Sequence, residues 1–305
     1  MIEGRDARDV ERDGAVVRWL GPKPTLVEPT LVVMLTGWID AGGGARGAVA
    51  AIAEESGTTP VAEFDDDVFV DFRARRPMME LRDGLHSVLH WERILLSAGA
   101  DQTGRDLLVL SGPEPDMAWH RFTRVVADLA GELGVTQMAH FGAYPFAVPH
   151  TRPARVSVTT PSQDVLARVP FLRSSIDVPA GVAAALEREL HERGIPSLGI
   201  WAQVPHYIAS LSYPAASVAL LDGLREATGL VIDAPDLRAE VHQLVARLDE
   251  MIADNEEHLA MIRQLEALYD ASADGVDVPT AGPSLELKSG DELAAELEQF
   301  LRDQR

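Results

Sequence analysis

The 305-residue sequence contains no cysteine. This absence excludes a disulfide scaffold, a thiolate zinc site, an iron–sulfur cluster and a cysteine nucleophile. Long apolar runs are missing too, since no stretch approaches the ~20 apolar residues that a membrane-spanning helix needs. Lysine is nearly absent, and Lys23 and Lys288 are the two examples. Hydrophobic residues nevertheless make up 46% of the chain, so we expect a globular protein held together by its core.

Basic residues are few relative to acidic ones. The chain has 27 Lys and Arg against 48 Asp and Glu, a formal net charge of −21. A field of this sign repels phosphates, so no binding to nucleic acid or to an anionic membrane surface is expected. Residues 1–14 are charged where a signal peptide needs an apolar segment. These features predict a soluble, cytoplasmic protein.

The negative charge is concentrated towards the C-terminus. Residues 236–305 contain 17 acidic and 6 basic residues, whereas the 235 residues before them carry a net charge of −10. We therefore predict three parts. These are an α/β body over 1–235, a long acidic helix over 236–270, packed on the body or on a partner, and a flexible linker with a short acidic helix over 271–305.

The body alternates short apolar runs with amphipathic or alanine-rich segments. Continuous apolar strands separated by helices are typical of a mainly parallel sheet with helices on both faces, so we predict an α/β fold. The predicted strands lie at 31–35, 107–110, 137–141, 156–159 and 198–201, and the predicted helices at 45–55, 115–133, 180–193 and 215–228. Residues 61–72 and 85–91 predict a hairpin or an edge insertion, with a turn at Asp83 and Gly84.

Residues 236–270 contain no glycine or proline, which predicts one helix of ~35 residues, about 50 Å long. Polar Asn255 and His258 within the apolar seam favour docking on a body over a dimeric coiled coil. A helix about 50 Å long is longer than the side of a typical domain, so part of its apolar stripe is expected to meet a neighbouring copy. The stripe therefore also predicts self-association as a closed ring. The stripe consists of Leu237, Val241, Leu244, Val245, Leu248, Met251, Ile252, Leu259, Ile262, Leu265, Leu268 and Tyr269.

Two patterns bear on cofactors and metals. The segment from Gly42 to Gly47 matches G-x-G-x-x-G, but residues 36–41 separate it from the strand and Asp40 would face the phosphates. We expect its glycines to allow close packing of a helix on the sheet. Asp116 and His120 lie one helical turn apart, but the nine histidines form no spacing typical of a metal site. The sequence therefore predicts neither a bound cofactor nor a bound metal.

Four loops follow four predicted strands, at 36–42, 111–116, 142–153 and 202–207. Because the carboxyl ends of parallel strands share one edge of a sheet, we expect polar loop side chains to meet there in a crevice. Such a set could perform acid–base chemistry or hold an anion; alternatively, its members cap helices and brace the loops. The candidate side chains are Trp38, Asp40, Glu114, Asp116, Tyr144, His150, Arg152, Gln203, His206 and Tyr207.

The same loops resemble the proteasome assembly chaperone 2 family, and more narrowly its branch in high-GC bacteria. The motifs that carry the resemblance are Gly37-Trp-Ile-Asp-Ala-Gly42, Gly112-Pro-Glu-Pro-Asp116, His150-Thr-Arg-Pro153 and Trp201-Ala-Gln-Val-Pro-His-Tyr207. The similarity runs over about residues 31–270. It implies a phosphorylase/hydrolase-like α/β body and a trimer. For archaeal and eukaryotic relatives it also implies a non-catalytic chaperone that binds proteasome α-subunits.

One departure from the family concerns the C-terminus. Proteasome-binding relatives often end in a hydrophobic residue, tyrosine and any residue, whereas this chain ends Asp303-Gln304-Arg305. That mode of docking on the α-ring is therefore not expected here.

Two hypotheses of function remain open. The first is a non-enzymatic assembly chaperone that acts through protein–protein contacts with proteasome α-subunits and with copies of itself. The alternative is a phosphorylase- or hydrolase-like enzyme acting on a small substrate in the crevice, either a nucleoside or an anion. In that case Asp40, His150 and His206 would be the acid–base groups and Arg152 the anion clamp.

Overall fold

The computed structural model describes residues 16–253 and 255–273. These residues form an α/β fold with one eight-stranded sheet and a separate two-stranded hairpin. The strands are β1 (Val17–Trp19), β2 (Thr30–Thr36), β3 (Thr59–Phe64), β4 (Met78–Arg82), β5 (Leu85–His90), β6 (Leu95–Ala100), β7 (Asp106–Pro113), β8 (Gln137–Phe146), β9 (Val156–Thr159) and β10 (Ser197–Pro205). The helices are α1 (Gly44–Glu55), α2 (Asp66–Phe69), α3 (Trp119–Glu132), α4 (Gln163–Arg168), α5 (Val182–Glu192), α6 (Pro214–Thr228), α7 (Pro235–Ile252) and α8 (Glu256–Ala273).

The large sheet has the strand order β1-β3-β6-β7-β2-β8-β10-β9. Its four central strands, β7, β2, β8 and β10, are parallel. The outer strands β1, β3, β6 and β9 pair antiparallel with their neighbours. The predicted fold class, a mainly parallel sheet flanked by helices and followed by a helical extension, is confirmed.

Both faces of the sheet are covered. On one face α1 and α6 pack over side chains such as Val32 and Ile200. On the other face α3 and α5 pack over side chains such as Val33 and Leu108. Successive residues of a strand point to opposite faces, so strands buried on both sides must be apolar throughout, as the runs in the sequence predict.

The region between β3 and β6 differs from the expectation. Residues 61–72 and 85–91 were predicted to form a hairpin or an edge insertion, and the first alternative is wrong, because β3 pairs with β1 and β6 in the large sheet. The predicted turn at Asp83 and Gly84 is present, but it joins β4 to β5. Both turn residues have positive φ, 49° and 82°, as a two-residue hairpin turn requires.

The C-terminal extension also differs from the expectation, since two helices replace the single helix predicted over 236–270. α7 ends at Ile252 and α8 begins at Glu256. The side-chain oxygen of Asn255 accepts hydrogen bonds from the backbone N–H groups of Glu257 and His258, at 3.1 Å each. Asn255 thus provides the N-cap that a new helix needs, and α8 turns back towards the body.

The apolar stripe is largely covered by this arrangement. Leu248, Ile262 and Leu265 are buried, and Leu237 and Leu244 pack against the core of the body. The stripe therefore does not form the large exposed patch from which self-association was predicted. Most of the linker and short helix predicted over 271–305 lie outside the described residues.

No helix of the described residues is both long and apolar enough to cross a membrane.

Candidate functional site

The ten candidate side chains come from the ends of β2, β7, β8 and β10, which share one edge of the sheet as predicted. They do not converge on a single crevice. Their hydrogen bonds instead divide most of them into separate groups, each of which fastens a loop or a helix. Those groups determine what the edge of the sheet can do.

Two of the candidate carboxylates cap helices. Asp40 accepts hydrogen bonds from the backbone N–H groups of Ala45 at 2.7 Å and Arg46 at 3.2 Å, at the start of α1. Glu114 accepts one from the backbone N–H of Val182 at 2.5 Å, at the start of α5. The first N–H groups of a helix have no partner within it, and the helix dipole favours a negative charge there. Both carboxylates therefore stabilise the fold.

The Asp116 carboxylate holds a neighbouring loop. It accepts the Nε–H of Arg75, whose nitrogen lies 3.1 Å from each carboxylate oxygen. It also accepts the backbone N–H of Asp71 at 2.9 Å. Among the described residues, His120, one helical turn away in the sequence, is not one of its partners. Asp116 thus fixes the chain that follows α2.

Tyr144 and Gln203 lie side by side on β8 and β10. The Gln203 Nε2 donates to the Tyr144 hydroxyl at 3.2 Å, and that hydroxyl lies 3.2 Å from the Ser157 Oγ on β9. The three side chains link neighbouring strands and satisfy one another. Buried polar groups need hydrogen-bond partners, and these three side chains provide them for one another.

His150 is buried between the body and α7, with 0% of its side chain exposed. The Tyr207 hydroxyl lies 2.8 Å from both the backbone N and the Nδ1 of His150, and the His150 Nε2 lies 3.3 Å from Asp249. Since the hydroxyl accepts the backbone N–H, its own proton is directed to Nδ1, and Nε2–H donates to the carboxylate. Burial raises the pKa of Tyr207 to about 12, so its phenol stays protonated.

His206 stands apart from this group of hydrogen bonds. It is exposed, and its ring packs edge-on against Tyr207 with 5.4 Å between centroids.

Arg152 binds carboxylates of α8. Its Nε and Nη2 donate to the two oxygens of Asp270, and its Nη1 donates to Glu266, all at 2.9 Å. The hydrogen bond to Asp270 raises the pKa of Arg152, and the same bond lowers the pKa of Asp270. Glu266 also accepts the Thr151 hydroxyl at 2.6 Å. The residue predicted as an anion clamp does hold anions, but they belong to its own chain.

Sequence reasoning did not identify Arg155, which extends the same contact. Its guanidinium lies over the Tyr269 ring, 3.5 Å from the centroid. It also donates to the Tyr269 carbonyl at 2.9 Å and to the Ser272 Oγ at 2.5 Å. We call residues 150–155 the docking loop, because its side chains hold α7 and α8 on the body.

A small cavity lies beside the N-terminus of α5. Trp38, Glu114, His140, Gly181 and Trp201 contribute to its wall, and its volume is about 30 Å³. This is room for about two water molecules. Pockets for small-molecule ligands are typically ten times larger or more, so the cavity fits no nucleoside.

A buried polar network adjoins this cavity and was missed by sequence reasoning. The His140 Nε2 bonds to Glu187 of α5. Glu187 also accepts the Thr159 hydroxyl at 3.0 Å, and Trp201 Nε1–H donates to that hydroxyl at 3.1 Å. One signal was available in the sequence: His140 interrupts an apolar strand. Gly142 leaves room for Trp201, since a Cβ there would lie 2.2 Å from the ring.

The glycine-rich segment packs α1 against α6. A Cβ on Gly44 would lie 2.8 Å from the Ala216 Cβ, and one on Gly47 would lie 2.5 Å from the Ser217 Oγ. The packing explanation predicted for these glycines agrees with this geometry.

Among the described residues, one acidic group brings three carboxylates together. Oxygens of Asp65, Asp66 and Asp67 lie within 4.8 Å of one another. Burial raises the pKa of Asp66, and the neighbouring charge of Asp67 raises it further. Asp65 accepts the Asp67 backbone N–H at 3.1 Å as the N-cap of α2. The group has a local structural role of its own.

Comparison with known proteins identifies relatives. The model of the PAC2 family matches residues 34–252, more than two thirds of the chain. No protein with a curated function matches the sequence.

Three solved structures place the fold among its relatives. A Mycobacterium tuberculosis protein of unknown function is 32% identical, with a TM-score of 0.77 over 85% of this chain and 92% of its own. A proteasome-assembly chaperone homologue from the same organism is 28% identical, with a TM-score of 0.71 over 77% of this chain and 99% of its own. An archaeal proteasome activator from Pyrococcus furiosus shares the fold at 16% identity, with a TM-score of 0.59 over 77% and 97% of the two chains. The resemblance predicted from the loop motifs is thus confirmed, and the chain belongs to the PAC2 family.

Proposed function

We propose that this protein is a non-enzymatic assembly chaperone in the cytoplasm that acts by binding other proteins. Its partners in this proposal are proteasome α-subunits of the same organism and further copies of the chain. Membership of the PAC2 family supports the chaperone class. The similarity to the M. tuberculosis proteasome-assembly chaperone homologue, which spans 99% of that protein, supports the choice of partner.

The observation that carries the proposal is that polar groups at the sheet edge bind other parts of the same chain. Arg152 is paired with Asp270 and Glu266, and His150 is covered by Tyr207 and Asp249. Side chains that would bind or activate a small substrate instead dock the chain's own helices. An edge of this kind presents a protein surface to solvent, and the cavity of about 30 Å³ found there among the described residues is small for a ligand pocket.

The enzyme alternative is not favoured. Asp40 caps α1, His150 is buried and His206 is exposed, so the three acid–base candidates do not share one reactive position. Acid–base catalysis needs its groups within hydrogen-bond reach of the same substrate atoms. A thermal-shift screen against nucleosides and inorganic phosphate tests this point, and we expect no ligand to raise the melting temperature.

The decisive experiment mixes the purified chain with recombinant α-subunits and records native mass spectra at several salt concentrations. We expect a complex with α-subunits and a faster or more complete assembly of α-rings. β-Subunits alone serve as the specificity control, and an unrelated acidic protein of similar net charge controls for non-specific attraction. No complex under any salt condition, together with unchanged ring assembly, would contradict the proposal.

In this proposal the copies form a closed ring, a trimer, and their self-association has a signature of its own. The chain carries a formal charge of −21, so copies repel one another and added salt screens that repulsion. We therefore expect the oligomer to become more stable as salt is raised from low to moderate concentration.

A further inference from the structure

An exposed apolar surface lies at the edge of the large sheet beside β9. Leu172 pairs with the outer edge of β9, since its backbone N–H donates to the Val156 carbonyl at 3.1 Å. Residues 172–181 then lead to the start of α5, where a Cβ on Gly181 would lie 3.1 Å from the Trp38 ring. We call four side chains of this surface, which are between 40% and 65% exposed, the edge patch: Trp38, Leu172, Ile176 and Val178.

The edge patch has the size of a functional surface. With about 150–250 Å² for each fully exposed large side chain, its exposed parts amount to roughly 400 Å². The largest apolar patch of a typical monomer is about 300–600 Å² and is often functional. The patch therefore gains from being covered, and about four large side chains of an occupant would cover it.

Two arginines beside the edge patch have no carboxylate partner. The Nε of Arg168 donates to the backbone carbonyl of Asp164 at 3.1 Å. The Nη2 of Arg173 donates to the backbone carbonyl of Leu166 at 2.7 Å. Both side chains are exposed, and neither forms an ion pair with any residue that the structure describes. An apolar surface next to unpaired guanidinium groups is complementary to an apolar segment that carries carboxylates.

The C-terminal sequence contains a segment of this chemistry. Residues 291–301, which we call the tail segment, lie outside the described residues, and their sequence predicts a short amphipathic helix with four acidic and no basic residues. At about 100° per residue, the apolar side chains of such a helix share one face. They are Leu293, Ala294, Leu297, Phe300 and Leu301. Glu296 and Glu298 flank that face, one on each side.

The end of α8 brings the tail segment within reach of the edge patch. The Ser272 Oγ accepts a hydrogen bond from the Arg155 Nη1 at 2.5 Å. Arg155 is followed in the chain by Val156, to which Leu172 binds. Residues 274–290 connect α8 to the tail segment, and a stretch of 17 residues spans up to about 60 Å when extended. The tail segment can therefore reach the edge patch of its own body.

We infer that the tail segment docks its apolar face on the edge patch of the same chain. The carboxylates that flank this face pair with the guanidinium groups of Arg168 and Arg173. The covalent connection favours this occupant over a separate molecule, because a linker of this length gives an effective concentration of about millimolar. The inference needs neither an α-subunit nor a second copy, so it stands or falls separately from the proposed function.

Docking of this kind is local. An isolated helix of about 11 residues is only marginally stable in water. We therefore expect the tail segment to be released well below the temperature at which the body melts. A distance measured in the folded full-length chain is the suitable test.

The absence of cysteine allows spin labels to be placed at chosen positions. Ser174→Cys puts one nitroxide on an exposed position beside the edge patch, and Gln299→Cys puts the other on the polar face of the tail segment. Pulsed electron paramagnetic resonance then measures the distance between the two labels in the full-length chain. We expect one narrow distance distribution. An undocked tail segment would instead give a broad distribution, because its linker allows separations up to about 60 Å, and that result would overturn the inference.

Substitutions in the edge patch test the apolar contact. Ile176→Glu with Val178→Glu should weaken docking at least about tenfold, because charges of the tail segment's own sign would enter the apolar contact. Both side chains are exposed in the body, so the variant should stay folded. The matched control, Val27→Glu with Met251→Glu, adds the same charge at exposed positions elsewhere and should keep the narrow distribution. Equal distributions in the two variants would overturn the inference.

A charge swap tests the ion pairs. Arg168→Glu with Arg173→Glu should weaken docking by about two- to tenfold, as expected for exposed ion pairs. Adding Glu296→Arg with Glu298→Arg to this variant should restore the narrow distribution, because the opposite charges face each other again. A swapped chain without this restoration would count against the inference.

Dilution of the labelled chain with a large excess of unlabelled chain identifies the occupant. A narrow distance that persists on dilution arises within one chain and supports the inference. A narrow distance that disappears means that the tail segment docks on a second copy, and the inference is then wrong.

Discussion

Replacing Leu265 by alanine tests what holds α8 on the body. Leu265 is 6% exposed, and truncating a buried leucine to alanine typically costs 2–5 kcal/mol. Because α8 lies at the periphery of the fold, we take about 2–3 kcal/mol for this position. Each 1.36 kcal/mol is a factor of ten in an equilibrium. Leu265→Ala should therefore increase the opening of α8 about 30- to 150-fold.

The comparison variant is Arg152→Gln, which removes the ion pairs of the docking loop. Arg152 meets Glu266 and Asp270 at 2.9 Å, but about a third of its side chain remains exposed to water. Water and salt screen exposed pairs of this kind, which change an equilibrium by about fivefold at most. Apolar burial should thus outweigh the ion pairs in holding α8.

Hydrogen exchange measured by mass spectrometry separates the two contributions. Peptides from α8 report its local opening, and peptides from β8 report unfolding of the whole body. We expect protection of α8 to fall strongly in Leu265→Ala and slightly in Arg152→Gln, with β8 changed less. Met251→Ala is the matched control, because Met251 is 73% exposed on α7. Equal loss of α8 protection in Leu265→Ala and Arg152→Gln would refute the reasoning.

Three further predictions concern acid, a glycine and the chain terminus. Hydrogen bonding to a guanidinium lowers the folded-state pKa of Asp270, so its contribution is present above its unfolded pKa of about 3.9 and lost as pH falls through the lower folded value. Exchange in α8, corrected for intrinsic rates, should therefore accelerate below about pH 4 before exchange in the body does. Gly142→Ala should lower the free energy of unfolding by about 1–3 kcal/mol, because its Cβ would overlap a tryptophan ring. Gly131→Ala in α3 meets no atom within 4 Å and should not destabilise the protein in the same denaturant titration. Removing residues 274–305 should leave the melting temperature unchanged, whereas ending the chain at Pro235 should lower it and reduce solubility, since the apolar side chains that α7 and α8 cover would be exposed. A chain ending at Pro235 that stays soluble and equally heat-stable would contradict this last expectation.

The main sheet could be predicted because its signal is local. Residues 30–36 and 106–113 contain continuous apolar runs, which are typical of strands buried on both faces. β6 was missed because Ser97, Ala98 and Gly99 are small and show no alternation of polar and apolar side chains. Its place beside β7 is set by pairing with the neighbouring strand, which no short window of sequence contains.

The candidate site was predicted in its parts but not in its arrangement. The four loops do meet at one edge, because parallel strands dictate it. Arg152 was predicted to hold the anion of a small substrate, whereas in the structure its guanidinium binds carboxylate anions of its own chain, which it matches in charge and geometry. That these anions are Glu266 and Asp270 could not be predicted, because the contact joins residues more than 110 positions apart.

The sequence by itself determined the α/β body, the acidic surface and the absence of cysteine chemistry. Composition and apolar periodicity can be read from single residues and their near neighbours, without knowledge of tertiary contacts. Only the tertiary structure decided that the predicted long helix divides at Asn255. An unbroken helix satisfies the same local preferences, but the turn at Asn255 lets Leu248 of α7 and Leu265 of α8 both be buried. The same is true of the β4–β5 hairpin. Its apolar residues are as hydrophobic as those of a core strand. They are exposed because the eight other strands pair with one another and leave β4 and β5 outside the main sheet.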